Sequence, residues 1–108
     1  MFSVTSSDQF LRQARKFFKK HPDLKPRFVA VFEALQQDPF QPALGLHQLT
    51  GKLSGCYAVR LTYSYRITLT VMITEKEITL LDIGSHGETN GVRRNQWGQV
   101  LKYKFLML

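Results

Sequence analysis

The spacing of apolar residues changes once along this chain, and the change divides it into a helical part and a sheet part. Phe10, Leu11, Ala14, Phe17 and Phe18 recur at helical spacing, while Arg12, Arg15, Lys16, Lys19 and Lys20 fill the opposite side. Ser6 followed by Gln9 fits a capping box, and Asp8 suits the positive end of a helix. His21-Pro22 ends this element, because the residue before proline avoids the α region. A second helix starts around Asp23 to Pro26, where proline is tolerated in the first turn. It buries Phe28, Val31 or Val29, Phe32 and Leu35, and stops before Asp38-Pro39. So short a break predicts an antiparallel helical hairpin. Ahead of it, Phe2 to Thr5 reads as a short strand.

Phe40 to Gly55 reads as a loop region, punctuated by Pro42, Gly45, Gly51 and Gly55. The period then becomes two. In the run from Tyr65 to Ile73 every odd position is apolar or aromatic, while Arg66, Thr68 and Thr70 take the other face. Before it, Tyr57, Val59, Leu61 and Tyr63 alternate with Cys56, Ala58, Arg60 and Thr62. Cross-strand partners share a face, so only a loop with an odd number of residues sets Arg60 and Arg66 on one polar face. The pattern therefore predicts a hairpin with a three- or five-residue connection, the shorter one placing Arg60 opposite Thr68 and Thr62 opposite Arg66. Thr74 to Glu77 turns the chain, and Ile78 to Ile83, apolar almost throughout, predicts a central strand. Beyond Val92 a tail with Trp97, Gly98, Leu101 and Phe105 to Leu108 has no readable period. The expected fold class is α+β, a helical hairpin packed on a twisted, mainly antiparallel four-stranded sheet, in a single domain over 1–108 with 92–108 as an atypical tail.

Composition narrows the function. At 108 residues and 44% hydrophobic the chain supports one modest core. Eight phenylalanines, four tyrosines and one tryptophan argue against disorder. A net charge of +7 points to a polyanionic partner, nucleic acid before an acidic protein or a membrane surface. The single cysteine, Cys56, excludes an internal disulfide framework and a multi-thiolate metal site. No signal-peptide pattern and no apolar run of membrane-spanning length is read, so a cytoplasmic protein without a membrane partner is expected.

The charge is also unevenly placed. Pro39 to Thr74 contains no acidic residue, yet includes Lys52, Arg60 and Arg66; His47 lies near its start and His86 follows in Ile83-Gly84-Ser85-His86-Gly87. With no carboxylate to quench them, these residues suit an anion-handling surface. Cleavage of an RNA phosphodiester needs deprotonation of a 2′-hydroxyl, stabilisation of phosphoryl charge and protonation of the leaving 5′-oxygen. Arginine suits the second task and histidine the proton transfers. Each residue has a plainer reading: His86 and His47 as loop or surface histidines, Arg66 as a partner of Glu75 or Glu77 or a guard of a sheet edge. His47, Cys56 and His86 show no metal-ligand spacing, and neither a serine-hydrolase elbow nor a phosphate-binding glycine loop is present.

In order, the helical hairpin, His47-Gln48-Leu49-Thr50-Gly51-Lys52-Leu53-Ser54-Gly55, Tyr65-Arg66-Ile67 and Leu81-Asp82-Ile83-Gly84-Ser85-His86 resemble the RelE/ParE toxin superfamily. The likeness covers roughly residues 1 to 88 and is nearest to RelE- and YafQ-like mRNA interferases of type II toxin–antitoxin modules. It implies a ribosome-dependent endoribonuclease that uses no cofactor or metal, acts on mRNA and is restrained by a cognate antitoxin. It implies His86 as general acid, Arg66 on the scissile phosphate, Arg60 assisting, His47 as base and Lys52 on the RNA backbone. Similar proteins carry a base-stacking aromatic soon after that histidine, whereas this chain reads Gly87-Glu88-Thr89-Asn90-Gly91-Val92. Stacking, worth roughly 1–3 kcal/mol per base, then falls to Tyr63, Tyr65 or Tyr103. The resemblance also leaves open a ParE-like toxin that inhibits DNA gyrase, and a catalytically weakened relative that binds nucleic acid or antitoxin.

Overall fold

The computed structural model describes residues 1–85, so His86 and the 92–108 tail lie outside the described residues. Two helices cover one face of a five-stranded sheet ordered β1-β5-β4-β3-β2. The elements are β1 (Ser3–Ser6), α1 (Asp8–Lys20), α2 (Lys25–Gln37), β2 (His47–Gln48), β3 (Tyr57–Arg60), β4 (Arg66–Met72) and β5 (Glu77–Gly84). β1 runs parallel to β5, and every other pair is antiparallel. The α+β class is as expected, with five strands rather than four. The added strand is β2, inside the stretch read as loop; two residues are too few to show an alternation.

The helical hairpin follows its apolar stripes. Phe10, Ala14, Phe17 and Phe18 of α1 and Phe28, Val31 and Leu35 of α2 are buried against Val59, Ile67, Leu69, Ile78, Leu80 and Ile83 of the sheet. Val31 is the buried valine of its helix, at 3% exposure against 51% for Val29. The Phe28 ring joins the two helices, its centroid 6.1 Å from Phe10 and 5.3 Å from Phe18. A short 3-10 turn (Pro22–Leu24) makes the reversal.

The start of α1 differs from the capping-box reading by one residue. Ser7 is the N-cap, its Oγ accepting from the Phe10 amide at 3.1 Å. Ser6 still belongs to β1, where it pairs with Leu80, and its buried Oγ has no hydrogen-bond partner. Pairing with β5 thus extends the strand and moves the cap.

Between β3 and β4 the connection is five residues long, and Arg60 stands directly opposite Arg66. The shorter loop that pairs Arg60 with Thr68 does not form. Instead the Leu61 and Thr62 amides both donate to the Tyr65 carbonyl, at 3.0 and 3.2 Å, and close the turn early. Arg27 Nε of α2 donates to the Leu61 carbonyl at 2.9 Å and ties this turn to the helices.

As expected, β5 is central, lying between β1 and β4. Its register against β4 contains a bulge: Thr68 pairs with Asp82 but Leu69 pairs with Leu80, leaving Leu81 extra. Ile78 and Leu80 therefore point to the helices, and so does Ile83, although strict alternation would turn Ile83 away. Leu81 instead joins Leu53 and Cys56 in a second apolar cluster on the sheet's other face. No helix among the described residues is long and apolar enough to cross a membrane.

Replacing Ser7 by alanine removes the cap and lowers unfolding free energy by about 1 kcal/mol. Ser6→Ala removes a hydroxyl without a partner and is neutral or stabilising. Urea denaturation of the two variants measures the difference; the capping-box reading requires the opposite order.

Candidate functional site

The face of the sheet turned away from the helices carries the charged residues. Register places them in two rows, because directly opposed residues share a face. One row runs His47, Ala58, Thr68, Asp82 across β2, β3, β4 and β5; the next runs Arg60, Arg66, Gly84. At a strand spacing of about 4.8 Å and a rise of about 3.3 Å per residue, the backbones of His47 and Arg66 are about 12 Å apart.

Two opposed arginines repel each other, and the sheet answers with a carboxylate. Asp82 is 1% exposed and Arg66 only 9%. Burial pulls the Arg66 guanidinium below its usual pKa, while the negative charge of Asp82 acts to raise it. Arginine remains a cation throughout the physiological range regardless. Asp82 is itself held: the Ile83 amide donates to its Oδ1 at 2.9 Å and the Gln9 side chain of α1 to its Oδ2 at 3.3 Å. The acid-free reading of this surface therefore needs correction, since a carboxylate distant in sequence arrives from β5. Glu77, one suggested partner, pairs with Met72 at the far end of β4. Nor does Arg66 guard a sheet edge, because β4 lies between β3 and β5. Arg60, by contrast, is exposed. Beside the pair, the Thr68 hydroxyl is fully buried with no hydrogen-bond partner.

His47 is exposed on the edge strand β2. Gly45 ends the preceding 3-10 turn (Pro42–Leu44) at φ +61, and its carbonyl lies 3.0 Å from His47 Nδ1. A carbonyl only accepts, so Nδ1 is the ring nitrogen that carries a proton in this contact. Nε2 is the ring nitrogen that this contact leaves for another partner. Lys52 rides on the next 3-10 turn (Gly51–Leu53), which Leu53 anchors on the same face through Cys56 and Leu81.

Arg60, Arg66, His47 and Lys52 are thus brought to one side of the sheet. Tyr63 stands at the tip of the β3–β4 connection, 99% exposed. Tyr65 is separated from them: it packs on the helix side, its ring 5.0 Å from both Phe17 and His21. Proposed stacking by Tyr65 beside the arginines does not fit that position. His86 follows β5 by two residues and lies outside the described residues. Sequence reasoning missed Asp82 as a member of this group. Its signal was a lone carboxylate inside an apolar run, which is costly to bury without a cation nearby. No group of three or more histidine, cysteine or acidic side chains suited to a metal ion occurs among the described residues.

Replacing Asp82 by asparagine leaves Arg66 buried without its countercharge and lowers stability by about 1–3 kcal/mol. Adding Arg66→Met to that variant recovers part of the loss; a double-mutant cycle by chemical denaturation with no coupling would show the two side chains to be independent.

No protein-family model matches this chain, and no curated protein does. Solved structures do match. YafQ from E. coli strain BL21(DE3) aligns at a TM-score of 0.70 and 15% identity, covering 84% of this chain and 100% of YafQ. A metal-bound toxin from Helicobacter pylori aligns at 0.65 and 24%, covering 82% of this chain and 98% of the toxin. The toxin–antitoxin complex RelBE2 from Mycobacterium tuberculosis gives 0.57 and 19%, covering 79% of this chain and 98% of the matched one. Helical hairpin, five-stranded sheet and nearly complete coverage of these relatives agree: the chain has the RelE/YafQ-like toxin fold.

Proposed function

We propose that this chain is the toxin of a type II toxin–antitoxin module and cleaves mRNA on the ribosome by metal-independent acid–base chemistry. The observation that carries the reading is the cross-strand pair Arg60–Arg66, backed by Asp82, with exposed His47 on the same face, its Nδ1 held by the Gly45 carbonyl. Its toxin context is supported by the fold shared with a toxin–antitoxin complex.

The chemistry follows from the residue types. His47 Nε2 takes the proton of a ribose 2′-hydroxyl, and the resulting alkoxide attacks the adjacent phosphorus. Negative charge then grows on the phosphoryl oxygens, where Arg66, held by its surroundings, and the freer Arg60 stabilise it. His86 protonates the departing 5′-oxygen, leaving a 2′,3′-cyclic phosphate and a 5′-hydroxyl. Lys52 grips a neighbouring phosphate, and Tyr63, fully open to solvent, offers the stacking ring. Burying Arg66 strengthens its pull on a phosphate, because fewer waters compete for the guanidinium.

A cognate antitoxin covers the basic face and restrains the toxin, and the site of action is the cytoplasm, where ribosomes meet mRNA. Weakened cleavage is the second reading, favoured by the absence of an aromatic residue between His86 and Val92.

Mapping cleavage of mRNA on ribosomes programmed in vitro tests the proposal. Arg66→Ala lowers the rate by about 10²–10³-fold, the usual loss for a charge-stabilising donor. Replacing His47 or His86 by glutamine costs about 10²–10⁴-fold. Wild-type protein that leaves ribosome-bound mRNA intact overturns the nuclease reading; inhibition of gyrase supercoiling by that same protein would establish the ParE-like one.

A further inference from the structure

A second basic site lies on the opposite side of the sheet. Gln13, Lys16, Phe17 and Lys20 of α1 recur at helical spacing and, with His21, Tyr65 and Ile83, line a pocket of about 240 Å³. Three rings form its wall. Phe17 and His21 have centroids 4.8 Å apart, each 5.0 Å from Tyr65, and Tyr65 Oη lies 3.4 Å from His21 Nε2. Among the described residues the lining holds two ammonium groups, an imidazole, a phenol and a primary amide, and no carboxylate.

The plainer account is that Lys19 and Lys20 merely offset the negative end of the α1 dipole. That role uses the last turn only. It explains neither Lys16 one turn earlier nor the placing of Tyr65 from a different element against His21. The helix end contributes roughly half a negative charge, which the two lysines of the pocket outweigh. Cations at the rim with aromatic rings in the wall match a ligand having an anionic group and a flat ring.

We infer that this pocket binds a nucleotide: its phosphate between Lys16 and Lys20, its base against the Tyr65–His21 wall. The nucleotide is either free or part of a single RNA strand, and its site is separate from the arginine face. The inference goes beyond the proposed cleavage and does not require it, since binding is read without ribosomes.

The test is NMR titration of the full chain with adenosine 5′-monophosphate, with a short single-stranded RNA, and with inorganic phosphate. Adenosine monophosphate is expected to shift the His21 ring and the backbone amides of residues 16–21, and Arg66→Ala to leave those shifts in place. Inorganic phosphate binds more weakly, lacking the ring. The exposed double variant Lys16→Glu/Lys20→Glu weakens binding at least about fivefold. RNA binding without binding of the mononucleotide assigns the pocket to a strand, and the converse to a free ligand; both support the site. Shifts confined to β3, β4 and the Lys52 turn, an unaltered affinity in the lysine variant, or phosphate binding as tightly as the nucleotide overturns it.

Discussion

The pairing of β4 with β5, including its one irregularity, is the constraint on which the rest depends. β5 has a strand on each side, α1 across one face and the Leu53 turn against the other. Enclosed in this way, it carries a charged group only where a partner awaits it. The extra residue Leu81 shifts the strand's phase, so that Leu80 and Ile83 both fill the helix-side core while Asp82 takes the arginine face. With regular alternation, Asp82 would enter the phenylalanine-lined core and Ile83 would displace it beside Arg66. One backbone irregularity therefore separates an apolar core from a charged surface within consecutive residues.

Where the period was dense, the sequence was readable. The α1 stripe apart from Leu11, the alternation in β4 as far as Val71 and the need for an odd hairpin loop all followed from side-chain spacing and match the fold, whereas Ile73 is exposed beyond the strand. The cap and β2 were not readable for a local reason. The capping-box rule favours Ser6, which Gln9 follows three residues on, and only the Ser6–Leu80 pairing moves the cap to Ser7. His47–Gln48 becomes a strand because β3 lies beside it, not through its own pattern. The bulge was invisible because an apolar run shows no phase when both faces are covered. Asp82 was overlooked for the same reason, and the surface looked free of acid. Tyr65 is different: its alternation already placed it with Ile67 and Leu69, against the core. Giving it a role beside Arg66 set residue type above phase, and phase decided.

Basic side chains are thus divided between the two sides of one thin sheet. Arg60, Arg66 and His47 share a side with the turn that bears Lys52, while Lys16, Lys20 and His21 belong to the helical side. The +7 charge of the chain is spread over surfaces facing different ways, so a single basic patch describes the molecule poorly. Tyr65 links the two sides mechanically. Its carbonyl closes the turn after Arg60, and its ring rests on the end of α1.

The opposed arginines also bear on how the protein responds to its medium. Like charges directly across a strand pair disfavour that pairing, and Asp82 lies on the Arg66 side of it, leaving exposed Arg60 less compensated. Dissolved ions shorten the reach of that repulsion, to about 8 Å at physiological ionic strength. The β3–β4 ribbon is accordingly at its weakest in dilute buffer and firms as salt is added, the reverse of a sheet held by surface ion pairs. Any polyanion seated there does the same work as salt, locally and at far lower concentration, and so acts as a brace for the strands that hold it.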